Sequence, residues 1–124
     1  MKNILLVEDK HSMLEMLTDA LNDEGHTVTP AGDGLIALEH INDNPAGYFD
    51  VIVSDIVMPN VDGIEFVTGL RATNNKTPVL FISGGGYNMT ARNILNNAQS
   101  LANSILQKPF SPSDLLKAID KVTA

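Results

Sequence analysis

Five short apolar runs alternate along this chain with stretches whose apolar residues have helical spacing. Polar residues or glycines separate each run from the helical stretch that follows it. The runs at 51–53 and 79–82 are apolar at every position, which is typical of strands buried on both faces of a sheet. Strands that alternate with helices form parallel sheets, because each connection crosses back over the sheet. The sequence therefore predicts an open, doubly wound α/β sandwich of five βα units.

Capping and helix-breaking residues indicate where these elements begin and end. The predicted strands are residues 3–7, 26–30, 51–54, 79–82 and 104–107. Five helices are predicted, and the second, third and fourth are residues 34–42, 63–72 and roughly 90–102. Ser12, with Glu15 three residues later, has the pattern of a capping box at the start of the first helix, and Gly25 ends that helix. Ser111 is predicted to cap the last helix, with Pro112 in its first position.

Two local patterns predict how individual elements are buried. Leu35, Leu38 and Ile41 have the spacing of a single apolar face on the second helix. Pro30 lies in the second strand, and proline has no N–H group to donate to a neighbouring strand. The second strand is therefore predicted to lie at an edge of the sheet.

Composition limits the size, chemistry and partners of the protein. A chain of 124 residues predicts a single domain over residues 1–124. The absence of cysteine excludes disulfides, thiolate zinc sites and cysteine nucleophiles. With 15 acidic and 8 basic residues the net charge is −7, which argues against direct binding to nucleic acid. No segment approaches the ~20 apolar residues of a membrane span, so we expect no membrane insertion and a cytoplasmic location.

Polar side chains follow four of the five predicted strands at the point where each strand ends. Glu8 and Asp9 follow the first strand, Asp55 the third, Ser83 the fourth and Lys108 the fifth. Ligands of doubly wound sheets bind outside the carboxyl ends of the strands, where the strand order reverses. If the strand order is 2-1-3-4-5, the first and third strands are central neighbours and all five side chains share one edge of the sheet.

Three carboxylates at that edge would need a counter-charge. Two unit charges about 4 Å apart repel each other by roughly 4 kcal/mol at an effective dielectric constant of 20. A hard divalent cation offsets this repulsion, and Mg²⁺ prefers sites of carboxylate oxygens and water. The sequence therefore predicts a Mg²⁺ site that includes Glu8, Asp9 and Asp55.

Four motifs connect the chain to a known family. They are ILLVED at 4–9, DVIVSDIVMPNVDG at 50–63, PVLFISG at 78–84 and ILQKPF at 105–110. Together they resemble the receiver domain of two-component response regulators, and the resemblance covers essentially the whole chain. It implies the flavodoxin-like fold with strand order 2-1-3-4-5, which is the known order of chemotaxis receivers. No output domain follows within this sequence, so we expect either a stand-alone receiver or the receiver part of a longer protein.

The resemblance assigns a role to each residue of the predicted site. Asp55 would accept a phosphoryl group from the phosphohistidine of a sensor histidine kinase or phosphotransfer protein. Lys108 would pair with the phosphoryl oxygens, and Ser83 would hydrogen-bond the phosphorylated aspartate. The implied Mg²⁺ ligands are Glu8, Asp9, Asp55 and the backbone carbonyl of Val57. The Lys108–Pro109 peptide bond would be cis, and the protein would catalyse only its own phosphorylation and dephosphorylation.

One departure from the family pattern keeps an alternative open. Three residues before the lysine the family commonly has an aromatic residue or histidine that swings inward on activation, but here this residue is Ile105. The alternative is a degenerate receiver that acts as a phosphorylation-independent interaction module. A flavodoxin-like electron carrier is disfavoured, because Glu8 and Asp9 would repel a flavin phosphate.

Overall fold

The computed structural model describes residues 1–56, 62–83 and 102–124. Within these ranges the strands are β1 (Asn3–Val7), β2 (Thr27–Ala31), β3 (Val51–Asp55), β4 (Val79–Ser83) and β5 (Ser104–Gln107). The helices are α1 (His11–Asp23), α2 (Gly34–Asp43), α3 (Gly63–Ala72) and α4 (Pro112–Thr123). The helix predicted at roughly 90–102 lies almost wholly outside the described ranges.

All the strands pair in parallel, in the order β2-β1-β3-β4-β5. The predicted α/β architecture and strand order are therefore confirmed. One face of the sheet packs against α2 and α3, and its buried side chains include Leu5, Ile52 and Phe81. The other face packs against α1 and α4, and includes Leu6 and Val53. Strands β3 and β4 are buried along their whole length, which explains the unbroken apolar runs at 51–53 and 79–82.

β2 lies at the edge of the sheet, as Pro30 predicts. The Thr27 N–H donates to the Lys2 carbonyl at 2.9 Å, and the Ala31 carbonyl accepts from the Glu8 N–H at 3.0 Å. Alternate residues of β2 therefore bond to β1, and the nitrogen of Pro30 faces the unpaired side of the strand. The strand begins one residue later than predicted, because the His26 N–H donates back to the end of α1 and its Nδ1 accepts from the Lys2 N–H.

The predicted capping box at the start of α1 is wrong. The helix begins at His11 with Lys10 as its N-cap, and the Lys10 side chain makes no capping hydrogen bond. Since only three residues connect β1 to α1, the backbone is already helical before Ser12, and Ser12 and Glu15 lie exposed on the helix surface. The predicted end of the helix is confirmed by Gly25, whose φ of 90° is a conformation that favours glycine.

The predicted start of α4 is confirmed in detail. Ser111 is the N-cap and its hydroxyl accepts from the Asp114 N–H at 3.1 Å. The Asp114 carboxylate in turn accepts from the Ser111 N–H at 3.1 Å, so this is a complete capping box. Pro112 occupies the first helical position, where its missing N–H costs nothing.

The predicted apolar face of α2 is partly wrong. Asp33 caps this helix by accepting from the Ile36 N–H at 2.9 Å. The side that faces the sheet consists of Gly34, Ala37, Leu38 and Ile41, at the i, i+3, i+4 and i+7 positions. Leu35 lies off this face and is 50% exposed.

In the part of the chain that the structure describes, no helix combines the length and apolar character needed to cross a membrane.

Candidate functional site

The ends of β1 and β3 bring three carboxylates together. Glu8 directly follows β1, and Asp55 is the last residue of the neighbouring strand β3. One carboxylate oxygen from each of Glu8, Asp9 and Asp55 lies within 4.8 Å of the other two. We call these three residues the acidic group. Glu8 and Asp55 are buried and Asp9 is exposed, so the group opens to solvent on one side.

Lys108 contacts this group from the end of an outer strand of the sheet. It follows β5, which is separated from β3 by β4. Its Nζ donates to Asp55 Oδ2 at 3.2 Å and lies 3.7 Å from Glu8 Oε2. Its backbone N–H donates to the Ser83 carbonyl at 2.7 Å, and its peptide bond to Pro109 is cis, as the resemblance implies.

The structure also locates the other residues named from the sequence. Ser83 is the last residue of β4 and is buried, with its carbonyl held by Lys108. β3 and β4 each extend one residue beyond the predicted end, so Asp55 and Ser83 are strand residues. Val57, the implied carbonyl ligand, lies outside the described residues. The acidic group and Lys108 are thus in contact, and Ser83 lies beside them at the end of the strand between β3 and β5.

Glu8 carries the strongest electrostatic perturbation of this site. It has no exposed surface, and as a carboxylate its Oε2 atom has no hydrogen-bond donor. Burial raises the pKa of Glu8 to about 7, and two effects of Asp55 act in the same direction. A protonated Glu8 can donate to the Asp55 carboxylate, and the charge of Asp55 disfavours a second negative charge. The nearby Lys108 ammonium only partly offsets this rise in pKa.

The donor set fits a hard divalent cation. Three carboxylates converge, and one of their oxygens is buried without a hydrogen bond, which costs free energy unless a positive ligand is present. Oxygen donors with an open, solvated side are the environment that Mg²⁺ prefers. Glu8, Asp9 and Asp55 are the described residues that could hold such an ion.

Comparison with known proteins identifies the family. The family model of the response regulator receiver domain matches residues 4–120. The chain belongs to this family. It is 35% identical over 122 residues to the response regulator receiver protein CpdR of Brucella abortus, covering 98% of this chain and 97% of that protein. The solved structure of the chemotaxis protein CheY4 of Vibrio cholerae is also similar, with a TM-score of 0.84, 33% identity and 98% of each chain covered.

Some relatives are much longer than this receiver. The sensor kinase CckA of Brucella abortus is 35% identical over 119 residues, which cover 96% of this chain but only 12% of the kinase. Receiver domains are signalling modules that take a phosphoryl group on an aspartate and interact with histidine kinases and phosphotransfer proteins. They generally bind Mg²⁺ at an acidic pocket, and this receiver has the matching acidic group.

Two residues beside the acidic group were not predicted from the sequence to belong to the site. Ser54 is a fully buried hydroxyl on β3, and it donates to the Asp55 carbonyl at 2.9 Å. Gly63 begins α3 so close to β3 that a Cβ atom there would lie 2.4 Å from the same carbonyl oxygen. A serine within an apolar run is a signal that could have been noticed, whereas the close approach of Gly63 depends on the packing of α3.

The pKa of Glu8 predicts how pH affects the metal-free receiver. Because the folded protein holds this proton up to about pH 7 and an unfolded glutamate releases it near 4.5, the folded state binds more protons between these values. The Glu8 contribution should therefore lower the free energy of unfolding by about 3 kcal/mol as pH rises through this range. Below the range the residue is neutral in both states and has no such effect.

Urea unfolding of the wild type and Glu8→Gln between pH 4.5 and 8 measures this contribution. The difference in unfolding free energy between the two proteins should grow in favour of the glutamine variant as pH rises. Saturating Mg²⁺ should reduce the difference, because the cation compensates the buried charge. A constant difference across the range would contradict the raised pKa.

Proposed function

We propose that this receiver accepts a phosphoryl group on Asp55 in a Mg²⁺-dependent reaction and signals through altered protein contacts. The donor would be the phosphohistidine of a sensor histidine kinase or of a phosphotransfer protein. The observation that carries this proposal is the contact of Lys108 Nζ with Asp55 Oδ2 at 3.2 Å, beside the carboxylates of Glu8 and Asp9. The carboxylate that would act as nucleophile, the lysine ammonium and the carboxylates that would bind the metal thus lie together at the carboxyl ends of the strands.

Each residue would have a distinct part in the transfer. An oxygen of the Asp55 carboxylate would form a bond to phosphorus while the bond from phosphorus to the donor imidazole nitrogen breaks. A bound Mg²⁺, held by the acidic group and the Val57 carbonyl, would neutralise charge on the phosphoryl oxygens. Lys108 would move its ammonium from Asp55 to an incoming phosphoryl oxygen, and the Ser83 hydroxyl would donate to another.

The function test is the intact mass of the protein after incubation with acetyl phosphate, with and without Mg²⁺. We expect the wild type to gain one phosphoryl group only when Mg²⁺ is present, and Asp55→Asn to gain none. Asp19→Asn is the matched control, because it removes an exposed carboxylate of α1 away from the acidic group, and it should behave as the wild type. A mass gain that survives in Asp55→Asn would refute the proposed acceptor.

The structural change that follows phosphorylation would differ from that of receivers in which an aromatic side chain swings inward. Ile105 lies on β5, partly buried against the core cluster that α2 and α3 cover. A phosphorylation-independent interaction module is the second candidate function, and Ile105 is the observation that favours it. Failure of the wild type to gain mass under any condition would select this second candidate.

The remaining expectations belong to the same proposal. The receiver would form a single domain over residues 1–124. It would catalyse only its own phosphorylation and dephosphorylation. The cytoplasmic location stays a prediction from the sequence.

A further inference from the structure

Ser54 is a polar side chain in an apolar environment. It has no exposed surface, and its register partners on the two flanking strands are Val7 and Phe81. Both partners are fully buried, and residues in register on parallel strands point to the same face of the sheet. The hydroxyl therefore lies between two apolar side chains on the face that α2 and α3 cover. A hydroxyl in such a place is costly unless it forms a hydrogen bond.

That hydrogen bond goes to the backbone of the proposed acceptor. Ser54 Oγ donates to the Asp55 carbonyl oxygen at 2.9 Å. The same oxygen lies against Gly63, where a Cβ atom would be 2.4 Å away. The Gly63 N–H donates to the next carbonyl of the chain, that of Ile56, at 2.7 Å. The peptide groups that follow Asp55 are therefore fixed by a side-chain hydroxyl on one side and by the first residue of α3 on the other.

We propose that Ser54 is a positioning residue, whose hydroxyl holds the Asp55 carbonyl and thereby directs the Asp55 carboxylate toward Glu8 and Lys108. This inference rests on the proposed function of Asp55. Rotation of the peptide group after Asp55 would change the direction of its side chain at the end of β3. A small shift is enough to matter, because a misplacement of about 1 Å at a reacting group can cost about 100-fold in rate.

The hydroxyl is what distinguishes Ser54 from the apolar residues beside it. A larger apolar residue would suit the neighbouring Val7 and Phe81, but it could not donate to the Asp55 carbonyl. Alanine would leave that carbonyl without the hydrogen bond that Ser54 supplies. A hydroxyl that served only the stability of the core would affect unfolding and leave the acceptor geometry unchanged. The two roles therefore predict different results for the same substitution.

The experiment measures the Mg²⁺ dissociation constant, the rate of phosphorylation by acetyl phosphate and the urea midpoint of the intact chain. We expect Ser54→Ala to weaken Mg²⁺ binding about tenfold and to slow phosphorylation by a similar factor, as is typical when a group that orients a metal ligand is lost. Ser54→Thr keeps the hydroxyl and should restore both values most of the way. Thr18→Val is the matched control, because it removes a buried hydroxyl of α1 that has no hydrogen-bond partner.

The outcomes separate this inference from the function on which it rests. Thr18→Val should bind Mg²⁺ and accept phosphate as the wild type does, even if its urea midpoint changes. If Ser54→Ala stays within twofold of the wild type in both Mg²⁺ binding and phosphorylation, Ser54 has no positioning role and the proposed acceptor stands. If the wild type itself neither binds Mg²⁺ nor gains a phosphoryl group, the proposed function and this inference are both wrong.

Discussion

Substitution of Lys108 by methionine is expected to slow phosphorylation by acetyl phosphate about 100-fold without weakening the binding of Mg²⁺. Loss of one preorganised hydrogen-bond donor that stabilises the charge of a transition state typically lowers the reaction rate by about 100-fold to 1,000-fold. We expect Lys108 to act as such a donor, because its Nζ lies 3.2 Å from Asp55 Oδ2 and its side chain is only 17% exposed. Methionine retains much of the apolar stem of lysine but removes the charge.

The expected effect on Mg²⁺ affinity, which should not fall, distinguishes loss of the Lys108 charge from general damage to the site. The Lys108 ammonium lies 3.2–3.7 Å from two carboxylates of the acidic group, so it repels any metal ion bound there. At pH 8, above the pKa of Glu8, Lys108→Met should bind Mg²⁺ at least as tightly as the wild type. Lys117→Met, which removes an exposed charge on α4, should change neither quantity. A parallel loss of Mg²⁺ binding and phosphorylation in Lys108→Met would show that the variant has lost its structure at this edge.

Substitution of Gly63 by alanine is expected to lower the free energy of unfolding by about 3 kcal/mol. The added Cβ would lie 2.4 Å from the Asp55 carbonyl oxygen, 2.9 Å from the Ile56 Cα and 3.1 Å from the ring of Phe81. The two nearest atoms belong to the backbone of the chain that leaves the central strand β3, so they cannot move aside as a flexible side chain could. The N-terminus of α3 must instead shift away from the sheet.

Gly69→Ala is the matched control for this prediction. It makes the same change six residues later in α3, where a Cβ would meet nothing within 4 Å. Because alanine is the better helix former, this variant should be more stable than the wild type by about 0.5–1 kcal/mol. Urea unfolding of both variants measures the two effects, which should have opposite signs. Equal stability of Gly63→Ala and the wild type would mean that α3 does not approach β3 as closely as the structure shows.

The strands were predictable because burial on both faces leaves a continuous apolar run, as at residues 79–82 of β4. Their order was not, since apolar runs do not say which strands are neighbours, and it came only from the resemblance. The start of α1 was wrong because a capping pattern is local, whereas the short connection after β1 determines where the backbone becomes helical. Leu35 is predicted to be buried because of its spacing from Leu38 and Ile41, but a different side of α2 faces the sheet and Leu35 is 50% exposed.

The candidate site was predictable to the extent that it depends on topology. Parallel strands end at one edge, so Glu8, Asp55 and Lys108 had to lie near one another once the order was known. The raised pKa of Glu8 could not be foreseen, because it follows from complete burial of that side chain. The contacts of Ser54 and Gly63 with one carbonyl oxygen depend on distances of 2–3 Å, which residue spacing does not determine.

The position of Lys108 after the last strand means that the proposed acceptor site is complete only when the whole sheet has formed. Glu8 follows the first strand of the chain, yet its carboxylate meets an ammonium that is placed only when β5 has joined the sheet beside β4. During synthesis on the ribosome, the early strands and all three carboxylates would emerge before this lysine. A nascent or prematurely terminated chain would thus carry the proposed acceptor aspartate without its cation, and should take up a phosphoryl group more slowly than a finished molecule.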